Sequence, residues 1–508
     1  MSKNIDIILI KANNQKKLYQ DLSRDFSGIE PPLWLALTAA YLREKGLRVG
    51  IIDAEAENLN AEETVQKVQK SNPLLASIVV SGTNPSASTT NMAGVSELLN
   101  EFEKSLPDVP TMLSGLHPSA LPEQTIREEK IDYVIEGEGF STHEELISIL
   151  KKGKPHEDDL NIKGLWYKRD GKIHSNPRAA NIQDLGSLPM AAWDLLPMDK
   201  YRAHNWHCFQ HIHERQPYAV IYTSLGCPFH CSFCCINVTF GGPGIRYRSP
   251  EKVVEEIDYL VKTYGVKNIK VLDEMFALKW SHVEELCDRI IALGHDLNFW
   301  VYGRIDTVKD FMLAKMKKAG INWIAYGIEA GSKKVRDGVS KGRFDQDQIK
   351  KVVEMTHAAG IHIVSNFIFG LPDDDLETMQ ETLDLAKELN CAYANLYSAM
   401  AYPGSQLYQE AMAQGIPLPS TWSGYAQFSQ DSFPLPTKYL TGGEVLRFRD
   451  QAFDNYYKDP KFLNMIEEQF GTDTVEHIKA MCAVKLKRKY YDQENKFYFQ
   501  NHIEANSS

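Results

Sequence analysis

The chain has 508 residues, 43% of them apolar, which is enough for two or three domains with sizeable cores. Its 56 basic and 67 acidic residues give a net charge of −11, which argues against a protein that coats nucleic acid. Eight cysteines are too few for a disulfide framework, no run is long enough to span a bilayer, and the opening MSKNIDIILIKANN lacks a secretory leader, so a cytoplasmic protein is expected.

Residues 1–150 alternate strand and helix signals in the manner of a doubly wound, Rossmann-like (flavodoxin-like) α/β sheet. Strands are expected at Ile5–Ile10, Leu47–Asp53, Ala76–Ser81, Thr111–Ser114 and Tyr133–Ile135, and Trp34–Arg43 has helical spacing behind Pro31-Pro32. The polar loops SGTNPSAS, SGLHPSALP and EGEGF follow three of these strands. In an open parallel sheet, ligands bind beyond the carboxyl ends of the strands. Ser81, Gly82, Ser114, Gly115, Gly137, Glu138 and Gly139 are therefore the candidate binding surface. Asp53 after the second strand hints at a dinucleotide site, but no G-x-G-x-x-G lies between strands one and two.

Residues 151–215 read as a connector, with a hairpin of Leu165–Tyr167 and Lys172–His174 around Arg169-Asp170-Gly171. The next region, 216–404, holds six strand candidates: Ala219–Ser224, Ile269–Leu272, Phe299–Gly303, Trp323–Ile328, Ile363–Phe369 and Ala394–Ala399. Amphipathic helices such as Pro250–Tyr264, His282–Leu293 and Leu376–Leu389 separate them. Six β/α units make a partial barrel, not the closed eight-stranded one. Residues 405–508 are expected to be mainly helical, and the aromatic stretch with Trp422, Tyr425, Phe428 and Phe433 is a candidate lid over the open barrel. The terminal NHIEANSS looks frayed.

The chemistry concentrates in Cys227-Pro-Phe-His-Cys231-Ser-Phe-Cys234, a C-x3-C-x2-C loop directly after the first barrel strand. Thiolates are natural ligands of iron–sulfur clusters. Three ligands on a four-iron cluster leave one iron open to the amine and carboxylate of a small molecule. Zinc is the competing reading, but it usually takes four ligands in two separated pairs. His230 or Cys235 could supply a fourth; Cys235 adjoins Cys234 awkwardly, and no second C-x2-C exists. Cys208, Cys235, Cys287, Cys391 and Cys482 read as buried thiols. His204, His207, His211 and His213 gather before the barrel at spacings that chance also produces.

The loop, with Phe233 before its third cysteine, resembles the radical S-adenosylmethionine (SAM) superfamily. That resemblance implies a [4Fe-4S] cluster on Cys227, Cys231 and Cys234, SAM on the open iron, and a 5′-deoxyadenosyl radical from its reductive cleavage. An external donor of flavodoxin or ferredoxin type would supply the electron. Further stretches are similar, in order, to the subfamily in which a cobalamin-binding domain precedes this core. They are Pro31-Pro32-Leu33, Ser114 to Pro118, Pro122-Glu123, Asp132 to Gly139, Leu188-Pro189, Trp193-Asp194, Pro197 and Arg248-Ser249-Pro250. Two departures stand at loop positions: Ser114-Gly115 in place of Gly-Gly, and Phe140 in place of Glu after Gly139. The D-x-H-x-x-G signature is absent and His117 lies in a different context, which implies cobalt without a protein imidazole on its lower face.

The same resemblance suggests roles around SAM. One acid of Asp273-Glu274, with Glu274 favoured, would meet the amino group, and Arg304 the carboxylate. Glu329 would meet an amino or hydroxyl group, and Asn366 lies on the fifth strand. The implied reaction is methylation of an unactivated carbon of a small molecule, through methylcobalamin and the 5′-deoxyadenosyl radical. Cyclisation or rearrangement with the same cofactors, and a non-catalytic metal-binding scaffold, are the alternatives. A methylthiotransferase acting on RNA fits poorly, because there is no second three-cysteine set and no basic tail.

Overall fold

The computed structural model describes residues 5–82 and 85–491. The terminus expected to fray, at 501–508, lies outside the described residues.

The first sheet has seven strands: β1 (Ile7–Lys11), β2 (Val49–Asp53), β3 (Leu75–Val80), β4 (Thr111–Gly115), β5 (Tyr133–Ile135), β6 (Leu165–Arg169) and β7 (Lys172–Ser175). Their order is β2-β1-β3-β4-β5-β6-β7. The first five are mutually parallel, and β6 and β7 add antiparallel. Every residue of β1 and β3 is buried, as near-continuous apolar runs in parallel strands require. Two separate apolar layers form on the sheet's two faces, one around Ile10, Ile78 and Leu98, the other around Leu9, Leu35 and Val79. The helix Ala61–Ser71 starts on a capping box of Asn60 and Glu63. The hairpin at 165–175, expected within a connector, extends this first sheet from β5 through three residue pairs.

The second region holds β8 (Tyr218–Ile221), β9 (Ser224–Leu225), β10 (Arg246–Tyr247), β11 (Asn268–Val271), β12 (Asn298–Arg304), β13 (Ile321–Glu329), β14 (His362–Phe369) and β15 (Tyr393–Ser398). Six of these form one parallel sheet in the order β8-β11-β12-β13-β14-β15, with helices in the crossovers. The first barrel strand is shorter than the expected 219–224. It stops at Ile221 because Thr223 turns to donate its backbone N–H to Asp273 at 2.6 Å, and Ser224–Leu225 then pairs antiparallel with β10. Three C-terminal helices, Gly442–Tyr457, Pro460–Phe470 and Thr472–Ala483, follow. The first of them covers the β15 side: Tyr457 Oη donates to Ala394 O at 2.7 Å and Arg449 Nε to Leu396 O at 2.6 Å. No helix among the described residues is long and apolar enough to cross a membrane.

Candidate active site

The barrel strands point alternate side chains inward, and these line a cavity of about 760 Å³. Its upper layer holds Glu274, Arg304 and Glu329 from the carboxyl ends of β11, β12 and β13. Two residues back along the strands come Tyr302, Gly327 and Asn366, and below them Lys270 and Trp300. Cys227, Cys231, Cys234 and Phe233 complete the upper wall.

Each of the three sulfurs receives one N–H. Phe229 donates its backbone N–H to Cys227, Ile236 its own to Cys234, and Arg304 Nη1 lies 3.6 Å from Cys231 Sγ. Donors on sulfur stabilise ligating thiolates and tune a cluster's potential, so the loop fits an iron–sulfur cluster. Among the described residues no three His, Cys, Asp or Glu side chains are placed to hold a single metal ion. A polynuclear cluster presents its irons at separate corners and needs no such convergence. Cys235 is buried against Leu116 and Ile236, on an apolar patch beside the loop.

The two acids that end β11 divide their work. Asp273 is buried and accepts from Thr223 N and from the hydroxyls of Thr223 and Ser224. Glu274 faces the cavity and accepts the Gly226 N–H, at 3.2 Å, and its own backbone N–H. Burial pushes its carboxyl up to about 8. Arg304 is held in a fork by Asp306, with Nε and Nη2 each 2.9 Å from a carboxylate oxygen, and its guanidinium stacks 3.9 Å from the Phe229 ring centroid. Glu329 follows an irregularity in the β13–β14 register and takes a left-handed φ of 69°. That turn points it at Lys341, whose Nζ lies 2.6 Å away. A Cβ on Gly327 would stand 2.5 Å from Glu329 Oε1 and 2.8 Å from Lys341 Nζ, so this pair needs a glycine there. Asn366 donates to Tyr326 O at 3.0 Å and accepts from Asn395 at 2.8 Å.

Lys341, Lys270 and Glu30 escaped the sequence reading. Glu30 enters from the N-terminal segment and meets Lys270 Nζ at 2.8 Å and His204 Nε2 at 3.3 Å. Only the alternation Lys270-x-Leu272-x-Glu274 could have placed Lys270 inside the barrel; Lys341 and Glu30 carry no such signal. The histidine group does not converge. His204 lines the cavity, His207 is buried and bonded to Asn298 O, and His211 and His213 are exposed.

The loop residues of the first sheet lie apart from this cavity. Ser81 O accepts from Asn91 Nδ2 at 2.7 Å, and Ser81 and Gly82 are half-buried. Ser114 is buried, and Gly115 has φ 117°, where a Cβ would sit 2.3 Å from Val80 O. Gly137 donates its N–H to Ser119 Oγ at 3.0 Å, and Gly139 starts the helix Phe140–Leu150 with φ 84°. Glu138 is fully engaged: it accepts from Ile182 N at 2.7 Å and pairs with Arg246 at 2.6 Å. His117 Nδ1 meets Thr89 Oγ1 at 3.0 Å, and burial pushes its imidazole down to about 3, so it is neutral. His117 Nε2 and Asn14 Oδ1, buried at this end of the sheet, have no hydrogen-bond partner among the described residues. Unsatisfied buried polar atoms at a sheet's ligand-binding end fit a polar ligand arriving there.

Residues 20–147 match the model of the B12 binding domain, and residues 221–386 that of the radical SAM superfamily. An uncharacterized methyltransferase from Pyrococcus horikoshii is 32% identical over 434 residues, covering 85% of this chain and 89% of that protein. The chain belongs to the cobalamin-dependent radical SAM enzymes. A second relative, the anaerobic magnesium-protoporphyrin IX monomethyl ester cyclase of Rubrivivax gelatinosus, is 28% identical and covers 93% of this radical SAM enzyme and 82% of its own length. The radical SAM methyltransferase TsrM from Kitasatospora setae, solved with cobalamin and a [4Fe-4S] cluster bound, has the same fold. It aligns with a TM-score of 0.65 at 17% identity over 90% of each chain. As a cobalamin-dependent radical SAM enzyme, the protein takes a [4Fe-4S] cluster, SAM and cobalamin as cofactors.

Proposed function

We propose that this enzyme methylates an unactivated carbon of a small molecule. When bound, the cluster and SAM supply a 5′-deoxyadenosyl radical, and cobalamin supplies a transferable methyl group as methylcobalamin. The protein's part is to hold and orient. Cys227, Cys231 and Cys234 hold the cluster, with Phe233 beside them. Glu274 and Glu329 offer carboxylates to the SAM ammonium, and Arg304 and Lys341 set cations near its carboxylate. Asn366 offers an amide one layer down. Glu274, largely neutral when the chamber is empty, ionises on meeting the ammonium. The loops at Ser81-Gly82, Ser114-Gly115 and Gly137–Gly139 form the cobalamin side, where Glu138 acts through Arg246 and not through the cofactor. Water is kept from the radical by the aromatic walls and by residues 405 onward, which line the cavity through Gln427, Phe428 and Arg449. A cytoplasmic setting and a flavodoxin- or ferredoxin-type electron donor belong to this proposal.

The observation that carries it is the 32% match to a methyltransferase along 85% of the chain. The cyclase likeness, over 93% of the chain, favours a second reading: ring formation with the same cofactors and no net methylation. Anaerobic reconstitution with iron, sulfide and hydroxocobalamin, followed by reductant, methyl-labelled SAM and a metabolite extract of the host, separates the two. 5′-Deoxyadenosine together with a product heavier by one labelled methyl establishes methylation. 5′-Deoxyadenosine with an unlabelled product establishes the cyclase-type reaction. Intact SAM in the loaded enzyme overturns both.

A further inference from the structure

Below its upper layer the cavity has an unusual charge pattern. Lys270 is paired with Glu30 at 2.8 Å, and on the C-terminal side Arg449 lies 2.7 Å from Asp450. An anion entering this lower space would find both cations already matched, and would have to break a buried pair or remain unpaired itself. Both are strongly unfavourable in a dry interior.

Two phenol hydroxyls in the same space are unmatched. Tyr302 on β12 and Tyr397 on β15 both line the cavity. Both are half-buried, burial pushes both phenols up, and Tyr302 also feels the charge of Tyr397. Neither hydroxyl has a hydrogen-bond partner among the described residues, whereas the hydroxyls of Tyr201, Tyr218, Tyr326, Tyr456 and Tyr457 all have one. A phenol kept from water normally finds a partner. Two that do not, facing one cavity, point to a ligand that brings the acceptor. The walls around them are aromatic: Trp300 stands 4.9 Å from the Tyr302 ring, and Phe428 is on the C-terminal side. Such walls suit a flat ring.

We infer that the lower part of this chamber binds an uncharged, ring-bearing molecule whose oxygen acceptor is held by the Tyr302 and Tyr397 hydroxyls, and that this lower part rejects carboxylates and phosphates. This deepens the reading of the site given above and rests on it for the claim that the bound molecule is a substrate.

The test uses three matched probes, 1-indanone, indane and indane-1-carboxylate, by equilibrium dialysis against the enzyme loaded with cluster, cobalamin and SAM, without reductant. One buried hydrogen bond corresponds to about a tenfold change in affinity. The ketone is expected to bind about tenfold more tightly than indane, and the carboxylate more weakly than either. In the double variant Y302F/Y397F the ketone should fall to the level of indane while indane itself is unchanged. Corrinoid absorbance and SAM retention in that variant, and the single variant Y397F, report whether the chamber is intact. A carboxylate that binds as well as the ketone overturns the inference, as does a ketone preference that survives in the double variant, or no binding of any probe. SAM cleavage is scored separately on adding reductant. Its absence with the ketone preference intact sinks the proposed reaction and leaves the chamber's selectivity standing.

Discussion

Glu30 and Lys270, 240 residues apart in the chain, meet inside the barrel. Both are buried, with Lys270 1% exposed at its side chain. Burial alone would raise the Glu30 carboxyl, but Lys270 and His204 outweigh it and hold it at about 2. Glu30→Ala removes the carboxylate that faces this buried ammonium and should cost about 3–5 kcal/mol in denaturant unfolding, whereas the double change E30L/K270M should recover much of that loss. The pH dependence follows from the same depression. Glu30 contributes stability that is fully present above its ordinary value near 4.5 and is lost as pH falls toward 2. Acid titration of wild type against E30Q should therefore show the wild-type advantage disappearing between about pH 4.5 and 2. At this scale the sequence was legible where chemistry is local. Three cysteines in eight residues announce themselves, and an acid at the end of a strand is visible as such. A lysine whose partner lies 240 residues away looks like any lysine in a strand, because the pairing is made by the fold.

Strands and helices were read well where a period repeats and poorly where one contact decides an end. The alternation Trp300-x-Tyr302-x-Arg304 is readable and runs along one face of β12. The early end of β8 is not readable, since Thr223 leaves the sheet to reach Asp273, fifty positions on. The loops of the first sheet are a third case: Gly137-Glu138-Gly139 reads as one binding loop, yet Glu138 faces Arg246 across a tertiary contact that no local pattern carries. Two elements give direct tests. Gly115→Ala forces a side chain into φ 117° with its Cβ 2.3 Å from Val80 O. It should lose at least about 1–3 kcal/mol and weaken corrinoid binding, read by thermal melting and by visible absorbance after reconstitution. Gln427 bonds both backbone groups of Ser398, at 2.9 Å each, and so caps the end of β15. Q427A should lower stability by about 1–2 kcal/mol and speed hydrogen exchange at the β15 terminus more than at β12.

The whole molecule is built on two sheets, one parallel through its first five strands and one parallel throughout, with the first C-terminal helix packed against β15. That order of units was legible because strand–helix alternation and loop motifs survive in one dimension. The attachment of the hairpin to the first sheet was not, because β5 shows nothing in sequence of the partner it accepts. Ending the chain at residue 404 removes the helix that covers Ala394 and Leu396, and leaves the β15 edge and its apolar neighbours bare. Such a fragment should elute as aggregate in size-exclusion chromatography while the full chain elutes discretely.

The contact among Glu138, Ile182 and Arg246 ties a loop of the first sheet to β10, beside the cysteine loop. Its members close on one another: Ile182 donates its N–H to Glu138, its carbonyl accepts from Arg246, and Arg246 donates to Glu138. A rivet of this kind holds that loop of the first sheet against β10 to a manufactured tolerance. Descendants of this chain that change their raw material would then keep the rivet and recut only the side panel, residues 405 to 491, where the chamber meets the C-terminal helices.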